Sequence, residues 1–291
     1  LMEDRDWLLL QVLYEKKNIT KTGQDLFISQ PAVTARIQKI EDEFGIKIVY
    51  RGNKGVHFTP QGEYLAKFAR ETLINLRKAK EHLTNMEQNV AGTLRIGASK
   101  YFTKFKLPQI LRLFKNDCPS VEFKVITAWS HDVFNLVNSQ EVHVGFVRGD
   151  YSWLGEKHLL FEESMVIVSV SELSLRDLPV QPRIVYRTDA MSKASIDNWW
   201  RQNYTTPPLI SMEVDTVDTC KEMVLNGLGY AIMPGMMLQG VTDIHKVVMT
   251  DKSGSPLIRK TWLVYQEELL EMNTVRSFVE FVKSLKLEST L

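Results

Sequence analysis

The chain has 291 residues, of which 44% are hydrophobic and 24% are charged. These fractions are ordinary for a globular protein with a buried core, and they exclude a disordered or fibrous chain. The formal net charge of +1 hides a local imbalance, because residues 16–54 contain eight Lys and Arg residues and only four Asp and Glu residues.

The sequence gives no indication of a structural metal site, a disulfide framework or a membrane span. Two cysteines without a CxxC spacing and histidines without an HxxxH pair argue against a disulfide framework and a structural zinc site. The start LMEDRDWLLL places acidic residues before a short apolar run, unlike a signal peptide, and no apolar run approaches the length of a membrane span. We therefore expect a cytoplasmic protein that needs no cofactor.

Three short helices are predicted at the N-terminus. Apolar residues recur at helical spacing over residues 8–15, and Thr20 is a suitable N-cap for a second helix that ends near Phe27. Ser29 is predicted to cap a third helix, with Pro31 in the first turn, where a missing N–H group costs nothing. This pattern is typical of a helix-turn-helix, whose third helix buries a stripe of apolar residues: Val33, Ile37, Ile40 and Phe44.

The other face of the third helix carries side chains that suit DNA. Its small or hydrogen-bonding residues let a backbone approach the major groove and read base edges: Pro31, Thr34, Ala35, Gln38 and Lys39. Ser29 and the first N–H groups of the helix suit a phosphate. Arg36 lies at the flank of the apolar stripe, within reach of the DNA backbone or a groove edge. Taken alone, the same pattern would also fit an ordinary capped helix in a small bundle.

The next segment favours the DNA-binding interpretation. IKIVYRGNKGVHFTPQG predicts a strand, a glycine-rich turn at residues 52–55, a second strand and a helix capped by Thr59. The two strands form a wing on which Arg51 and Lys54 are placed to contact phosphate. We assign residues 1–59 to a winged helix-turn-helix domain that binds double-stranded DNA.

A long linker helix is predicted over residues 60–91. Its apolar and small residues follow an alternating 4-3 spacing over more than three heptads: Leu65, Ala69, Thr72, Leu76, Ala79, Leu83, Met86 and Val90. The seam could pack on its own domain, but the charges around it favour pairing with a second copy of the helix. A dimer would place two recognition helices on two half-sites.

Strand and helix patterns alternate over residues 92–291, which predicts an α/β effector-binding domain with parallel strands. TLRIGAS, VEFKVITAW and VHVGFVRG are predicted strands, and LPQILRLFKNDCP and DVFNLVNSQ are predicted helices. MVIVSV and PRIVYRT suggest a second sheet. Trp199 and Trp200 are expected to pack in the core.

Ligands in such sheets bind at the carboxyl ends of the strands. Arg148 directly follows a buried strand and precedes a glycine, so its guanidinium is placed to capture a carboxylate in a bidentate contact. Ser99 adds a hydroxyl group on the loop after the first strand. The predicted ligand is a small anion, and the residues at or near strand ends are Ser99, Lys100, Tyr101, Ser130, Arg148, Arg187 and Arg259.

SQPAVTARIQKIEDEFGIKIVYR, followed by FTPQGEYL, resembles the N-terminal signature of LysR-type transcriptional regulators. The resemblance implies a winged helix-turn-helix in which the wing residue Arg51 and four residues of the recognition helix contact DNA: Ser29, Gln30, Pro31 and Thr34. It also implies two effector subdomains like those of a periplasmic binding protein, about 92–162 with 262–291, and about 163–261. Two departures bear on base readout: Thr22-Gly23 replace the usual paired alanines, and Ala35 stands where many members have arginine.

VHVGFVRGD, VDTVDTCKEM and PLIRKTW further resemble a citrate-responsive, catabolite-control subgroup of this family. That resemblance assigns anion binding to Ser99, Arg148 and Arg259. We expect a homotetrameric regulator that associates through its linker helices and effector domains. We do not expect an enzyme, since the sequence has no catalytic motif. The alternatives are a regulator of another pathway with a different effector, an enzyme on a similar α/β domain, or an architectural DNA-binding protein.

Overall fold

The computed structural model describes residues 2–52, 55–85 and 90–287 and divides the chain into two compact units, 1–87 and 88–291. The N-terminal unit contains four helices and a hairpin: α1 Asp4–Lys16, α2 Ile19–Leu26, α3 Gln30–Phe44, β1 Val49–Gly52, β2 Gly55–Phe58 and α4 Pro60–Asn85. Within residues 2–52, 55–85 and 90–287, no helix is both long and apolar enough to cross a membrane.

Side-chain caps determine where the short helices begin. Ser29 caps α3 by accepting a hydrogen bond from the N–H of Ala32, at 3.3 Å, as predicted. Thr59 caps α4 in the same way through the N–H of Gly62. The cap predicted at Thr20 is wrong, because Asn18 accepts from the N–H of Lys21 at 3.0 Å and α2 therefore begins one residue before Thr20. An asparagine amide oxygen satisfies this exposed N–H as well as a hydroxyl would.

The apolar stripe of α3 forms the core of the N-terminal unit. Val33, Ile37 and Ile40 are buried against residues of the other helices and the hairpin: Leu9, Leu10, Leu13, Ile19, Ile48 and Val56. Phe44, the fourth residue of the predicted stripe, is 45% exposed, because α3 ends there and Gly45 turns the chain away in a left-handed conformation.

The wing is an antiparallel hairpin held against the helices. Tyr50 lies opposite His57 in its register, and the N–H of Val56 donates to the carbonyl oxygen of Lys17 at the end of α1. Gly55 has a φ of +125°, and a Cβ there would lie 2.4 Å from the same carbonyl oxygen, so this close approach requires glycine. The hairpin is therefore tied to α1 at one defined point.

The predicted heptad seam of the linker helix is buried at its N-terminal end and exposed further along. Leu65 and Ala69 are buried in the N-terminal unit beside Leu10 and Ile40, which corrects their assignment to a seam between copies. Thr72 and Leu76 are partly exposed, Ala79 is exposed and Leu83 is 66% exposed. Met86 lies outside the described residues. Val90 is described and is not helical.

The described residues of the C-terminal unit form fifteen further α-helices and β-strands, besides three short 3-10 helices. In chain order they are β3 Gly92–Ser99, α5 Lys100–Phe105, α6 Leu107–Asp117, β4 Val121–Ala128, α7 Ser130–Asn138, β5 Val144–Arg148, β6 Glu156–Ser169, β7 Arg183–Tyr186, α8 Ala190–Asn203, β8 Ile210–Val214, α9 Val217–Leu225, β9 Ala231–Pro234, β10 His245–Val248, β11 Ile258–Tyr265 and α10 Asn273–Ser284.

A mixed sheet joins most of these strands in the order β10-β6-β11-β5-β3-β4. The predicted parallel pairing holds for β3 with β4 and β5, whereas β11 is antiparallel to both β5 and β6. MVIVSV was predicted to belong to a second sheet, but it lies in the same seven-stranded sheet. It belongs to the second half of β6, whose first half pairs with β11 and whose second half pairs with β9 and β10.

The segment PRIVYRT contributes β7, which pairs in parallel with β8. Its first residues also bond to the chain just before β9, since the N–H of Ile184 donates to the carbonyl oxygen of Tyr230. Trp199 and Trp200 are buried in the core of this region, as predicted, and their indole N–H groups donate to the carbonyl oxygens of Thr250 and Thr206.

Glu41 couples the recognition helix to the hairpin and should make the N-terminal unit acid-sensitive. Burial raises the pKa of its carboxyl, but hydrogen bonds from Lys47 and from the N–H of Ile48 outweigh burial and lower the pKa below its usual range. The stability from this group is therefore present above about pH 4.5 and is lost as the pH falls through the lower folded-state pKa.

Urea unfolding between pH 3 and pH 7 should show this dependence. We expect the wild type to exceed Glu41→Gln in free energy of unfolding at pH 7. The difference should shrink as the pH falls from about 4.5 through the lower folded-state pKa, because the carboxyl is protonated first in the unfolded chain and then in the folded one. The exposed Asp42→Asn is the matched control. A difference that stays constant across this range would show that the charge of Glu41 contributes nothing.

Candidate functional site

The face of α3 predicted to read DNA is largely open to solvent. Pro31, Ala35, Gln38 and Lys39 are exposed, and Thr34 is partly exposed beside them. Ser29 and Gln30 are also exposed at the N-terminus of the helix, where Gln30 accepts a long hydrogen bond of 3.4 Å from the hydroxyl of Thr20. The surface therefore presents hydroxyl and amide groups beside the start of a helix, which suits base edges and phosphate.

Arg36, which the sequence predicts to lie within reach of the DNA backbone or a groove edge, is partly buried and pairs with α1. Its guanidinium donates to the Asp6 carboxylate of α1 at 2.6 Å, and Asp6 is only 2% exposed. The second oxygen of Asp6 accepts from the N–H of Glu3 at the start of α1. Arg36 therefore anchors the recognition helix to α1 and compensates a buried charge.

The two wing residues stay predictions. Arg51 lies in β1 opposite Val56. Its side chain, and the whole of Lys54, lie outside the described residues.

In the C-terminal unit, most of the predicted effector residues line one cavity of about 130 Å³. The predicted residues among its lining are Lys100, Tyr101, Arg148, Arg187 and Arg259. They come from the ends of β3, β5 and β7 and from the start of β11, so the sheet topology brings distant parts of the chain together here. Trp129, Asp189 and Asp218 also line the cavity.

Arg148 is the central cation of this cavity. Its guanidinium carbon lies 4.7 Å from the centre of the Tyr101 ring, a cation–π arrangement. Burial and, after it, the nearby charge of Arg259 lower the pKa of Arg148 to about 10, against the opposing effects of Glu163 and Asp189. Arg148 is partly buried, and its Nε makes no hydrogen bond within the described residues. Such a guanidinium is suited to bind a planar carboxylate.

Arg259 already has a carboxylate partner. It donates to Asp189 at 2.5 Å, and both side chains are about one-tenth exposed. Asp189 also caps α8 through the N–H and hydroxyl groups of Ser192, each at 2.9 Å. Burial raises the pKa of Asp189, but Arg259 and the bonds from Ser192 outweigh it and lower that pKa.

The remaining predicted residues have different positions. Ser130 is buried and accepts a hydrogen bond from the backbone N–H of Arg148 at 3.0 Å, so it holds the end of β5 in place and is not part of the cavity lining. Ser99 is buried at the end of β3 and is not among the residues that line the cavity. Lys100 and Arg187 are exposed at the cavity mouth.

Sequence reasoning missed two acidic residues at this site. Asp189 follows the predicted strand PRIVYRT and precedes a helix, so its capping position was a usable signal. Glu163 alternates with the apolar residues Phe161 and Met165 along β6, and this period of two indicates an inward-facing side chain. Glu163 is 4% exposed, and burial raises the pKa of its carboxyl against the opposing effects of Arg148 and Arg259.

A winged helix-turn-helix joined in one chain to an α/β unit with a charged cavity defines a ligand-responsive DNA-binding protein. Comparison with known proteins agrees with this class. Residues 5–63 match the model of the bacterial regulatory helix-turn-helix protein, lysR family, and residues 87–286 match that of the LysR substrate binding domain. The chain belongs to the LysR family of transcriptional regulators, and not to a family of enzymes.

Two relatives from Bacillus subtilis (strain 168) cover nearly the whole chain. The uncharacterized HTH-type transcriptional regulator YraN is 41% identical over 282 residues, which are 97% of this chain and 98% of YraN. The uncharacterized HTH-type transcriptional regulator YkuM is 32% identical over 286 residues, 98% of each chain. Full-length CbnR in complex with its target DNA is similar in fold, with a TM-score of 0.69 at 17% identity over 97% of this chain and 99% of CbnR.

The different environments of Arg36 and Lys39 lead to opposite expectations for their alanine variants. Arg36→Ala leaves Asp6 buried without its cation, and we expect the free energy of unfolding to fall by about 2–4 kcal/mol. Lys39→Ala removes an exposed charge, so unfolding should change by less than about 0.5 kcal/mol, while the affinity for any duplex DNA should fall.

Urea unfolding and fluorescence anisotropy with labelled duplexes would measure both effects. Asp6→Asn should reproduce most of the stability loss of Arg36→Ala, since it removes the other member of the pair. An Arg36→Ala variant as stable as the wild type, but weakened in operator binding, would return Arg36 to the DNA-binding surface.

Proposed function

We propose that this regulator reads an operator with the exposed face of α3, contacts phosphate with its wing, and changes its DNA binding when a small carboxylate occupies the cavity at Arg148. The observation that carries the effector part is the partly buried Arg148 side chain, which lines a cavity whose mouth carries Lys100 and Arg187. Cations in a partly dehydrated cavity favour an anionic ligand.

Citrate is one candidate effector, but the charge arrangement favours a smaller acid. The subgroup resemblance assigns a tricarboxylate to Arg148 and Arg259 together, whereas Asp189 already neutralises Arg259. A tricarboxylate would have to displace Asp189 from Arg259, which a ligand with one carboxylate at Arg148 does not need to do. We therefore place monocarboxylates and dicarboxylates ahead of citrate.

The proposed assembly is a dimer through the linker helix, with further association of effector domains into a tetramer. Support comes from the second half of the heptad seam, where Thr72, Leu76, Ala79 and Leu83 are partly or fully exposed. A second helix would cover these side chains and set the spacing of two recognition helices. The proposed domains are 1–59, 60–91 and 92–291, and the last is divided into the two subdomains given above.

DNA binding can be tested with variants of the two DNA-facing elements. Thr34→Ala should weaken operator binding more than non-specific binding, because a hydroxyl in the major groove distinguishes bases. Arg51→Ala should weaken both and reduce the slope of log affinity against log salt by about one. Equal losses for Thr34→Ala on both duplexes, or an unchanged salt slope for Arg51→Ala, would remove that residue from its proposed role.

Effector binding can be tested by thermal melting of wild type and Arg148→Ala with di- and tricarboxylates, amino acids and phosphate. A ligand that binds only the native state raises the melting temperature as its concentration increases. We expect at least one carboxylate to raise the wild-type melting temperature and to change operator affinity, and Arg148→Ala to abolish both effects. Arg276→Ala, which removes an exposed arginine of α10, is the control. Absence of any shift with all of these anions would overturn the effector proposal.

A further inference from the structure

Buried polar atoms that make no hydrogen bond within the described part of the chain lie in and next to the cavity. They are the hydroxyl oxygens of Ser99, Tyr101, Tyr186 and Thr261, the Nε of Arg148 and both carboxylate oxygens of Glu163. Tyr101, Tyr186 and Arg148 line the cavity, whereas Glu163 lies outside its lining and close enough to Tyr101 and Arg148 for its charge to act on both. Buried polar groups in native proteins are almost always paired, so a concentration of unpaired ones calls for a specific explanation. A bound polar molecule would supply partners for several of them at once.

The sheet places Glu163 and Arg148 on one face. Arg259 of β11 lies directly opposite Glu163 of β6, and Thr261 of β11 lies directly opposite Arg148 of β5. Arg259 and Thr261 are two residues apart on the same strand, so all four side chains project from the same side. Because β5 and β6 flank β11, their backbones are about 10 Å apart, and the two long side chains can reach toward one small molecule between them.

The charges near Glu163 show what such a molecule must carry. Asp189 is occupied by Arg259 and Ser192, which leaves Glu163 as the buried acidic group with acceptors to offer. Burial raises its pKa, while the charges of Arg148, Arg259 and Lys106 oppose that increase. A carboxylate bound at Arg148 would weaken the compensation of Glu163, unless the same molecule also brought a cation to Glu163.

We infer that Glu163 is a specificity-determining residue that binds the ammonium group of an α-amino acid whose carboxylate binds Arg148. This inference rests on the proposed carboxylate effector and specifies its class. The zwitterion introduces one positive and one negative group, so each buried charge gains an opposite partner and no net charge enters the cavity. A plain carboxylic acid pairs only Arg148, and a hydroxy acid gives Glu163 a hydrogen bond without a counter-charge.

Matched ligand series test the inference on the full-length protein. Each series differs only at the α-carbon: propionate, lactate and alanine; succinate, malate and aspartate; glutarate, 2-hydroxyglutarate and glutamate. In at least one series, we expect the amino acid to bind about tenfold to a hundredfold more tightly than the acid without the amino group, by calorimetry. Glu163→Gln should abolish that preference, because a neutral amide offers the ammonium no charge.

Glu162→Gln is the control, because Glu162 is the neighbouring residue on the opposite face of β6 and is only partly buried. It should leave ligand preference unchanged. Without ligand, Glu163→Gln should melt at or above the wild-type temperature, since it removes a carboxyl for which the cost of burial exceeds the effect of the nearby cations.

The possible results separate the inference from the proposal on which it depends. If acids with and without the amino group bind equally, or if hydroxy acids match amino acids, the role of Glu163 is overturned while a carboxylate effector stands. If no carboxylate binds, both fail. A Glu163→Gln protein that melts well below the wild type without ligand would make Glu163 a structural residue and would also overturn the inference.

Discussion

β11 pairs with β5 along one edge and with the first half of β6 along the other, and this arrangement determines which charges must share a surface. Residues far apart in the chain, Arg148, Glu163 and Arg259, then lie on one face of the sheet. Burying like and unlike charges together is unfavourable unless they are paired. Asp189, at the start of α8, pairs with Arg259. Arg148 lines the cavity, where we propose that a ligand pairs with it.

The N-terminal unit meets a different requirement, since its proposed DNA-facing residues must stay exposed while the helix that carries them is held in place. Asp6 and Arg36 hold the first half of α3, and Glu41 holds its second half to the hairpin through Lys47 and the N–H of Ile48. Each contact uses a charge on the inner side of the helix. Hydroxyl and amide groups are left on the outer side, where precise placement matters most for base readout.

Local signals in the sequence predicted most of the fold but only part of the sites. The caps at Ser29 and Thr59, the wing and most strands follow from capping chemistry, glycine turns and hydrophobic alternation, all of which act over a few residues. The pairing of Arg36 with Asp6 could not be predicted, because the two residues lie thirty positions apart and no local pattern connects them. The predicted seam between two copies of the linker helix likewise included too many residues. Periodicity identifies an apolar stripe but not the surface that covers Leu65 and Ala69, which is the N-terminal unit itself.

Asp189 connects the cavity with the secondary structure around it, because the same carboxylate binds Arg259 and caps α8. A ligand can shift a conformational equilibrium only by the difference between its affinities for the two states. A molecule that pairs with Arg148 alone leaves the Arg259–Asp189 bond intact, so any such difference must come from the groups around Arg148 and Glu163. A molecule that also reaches Arg259 competes with Asp189 and disturbs the start of α8. The number of carboxylates on the effector therefore determines which of these two elements can respond.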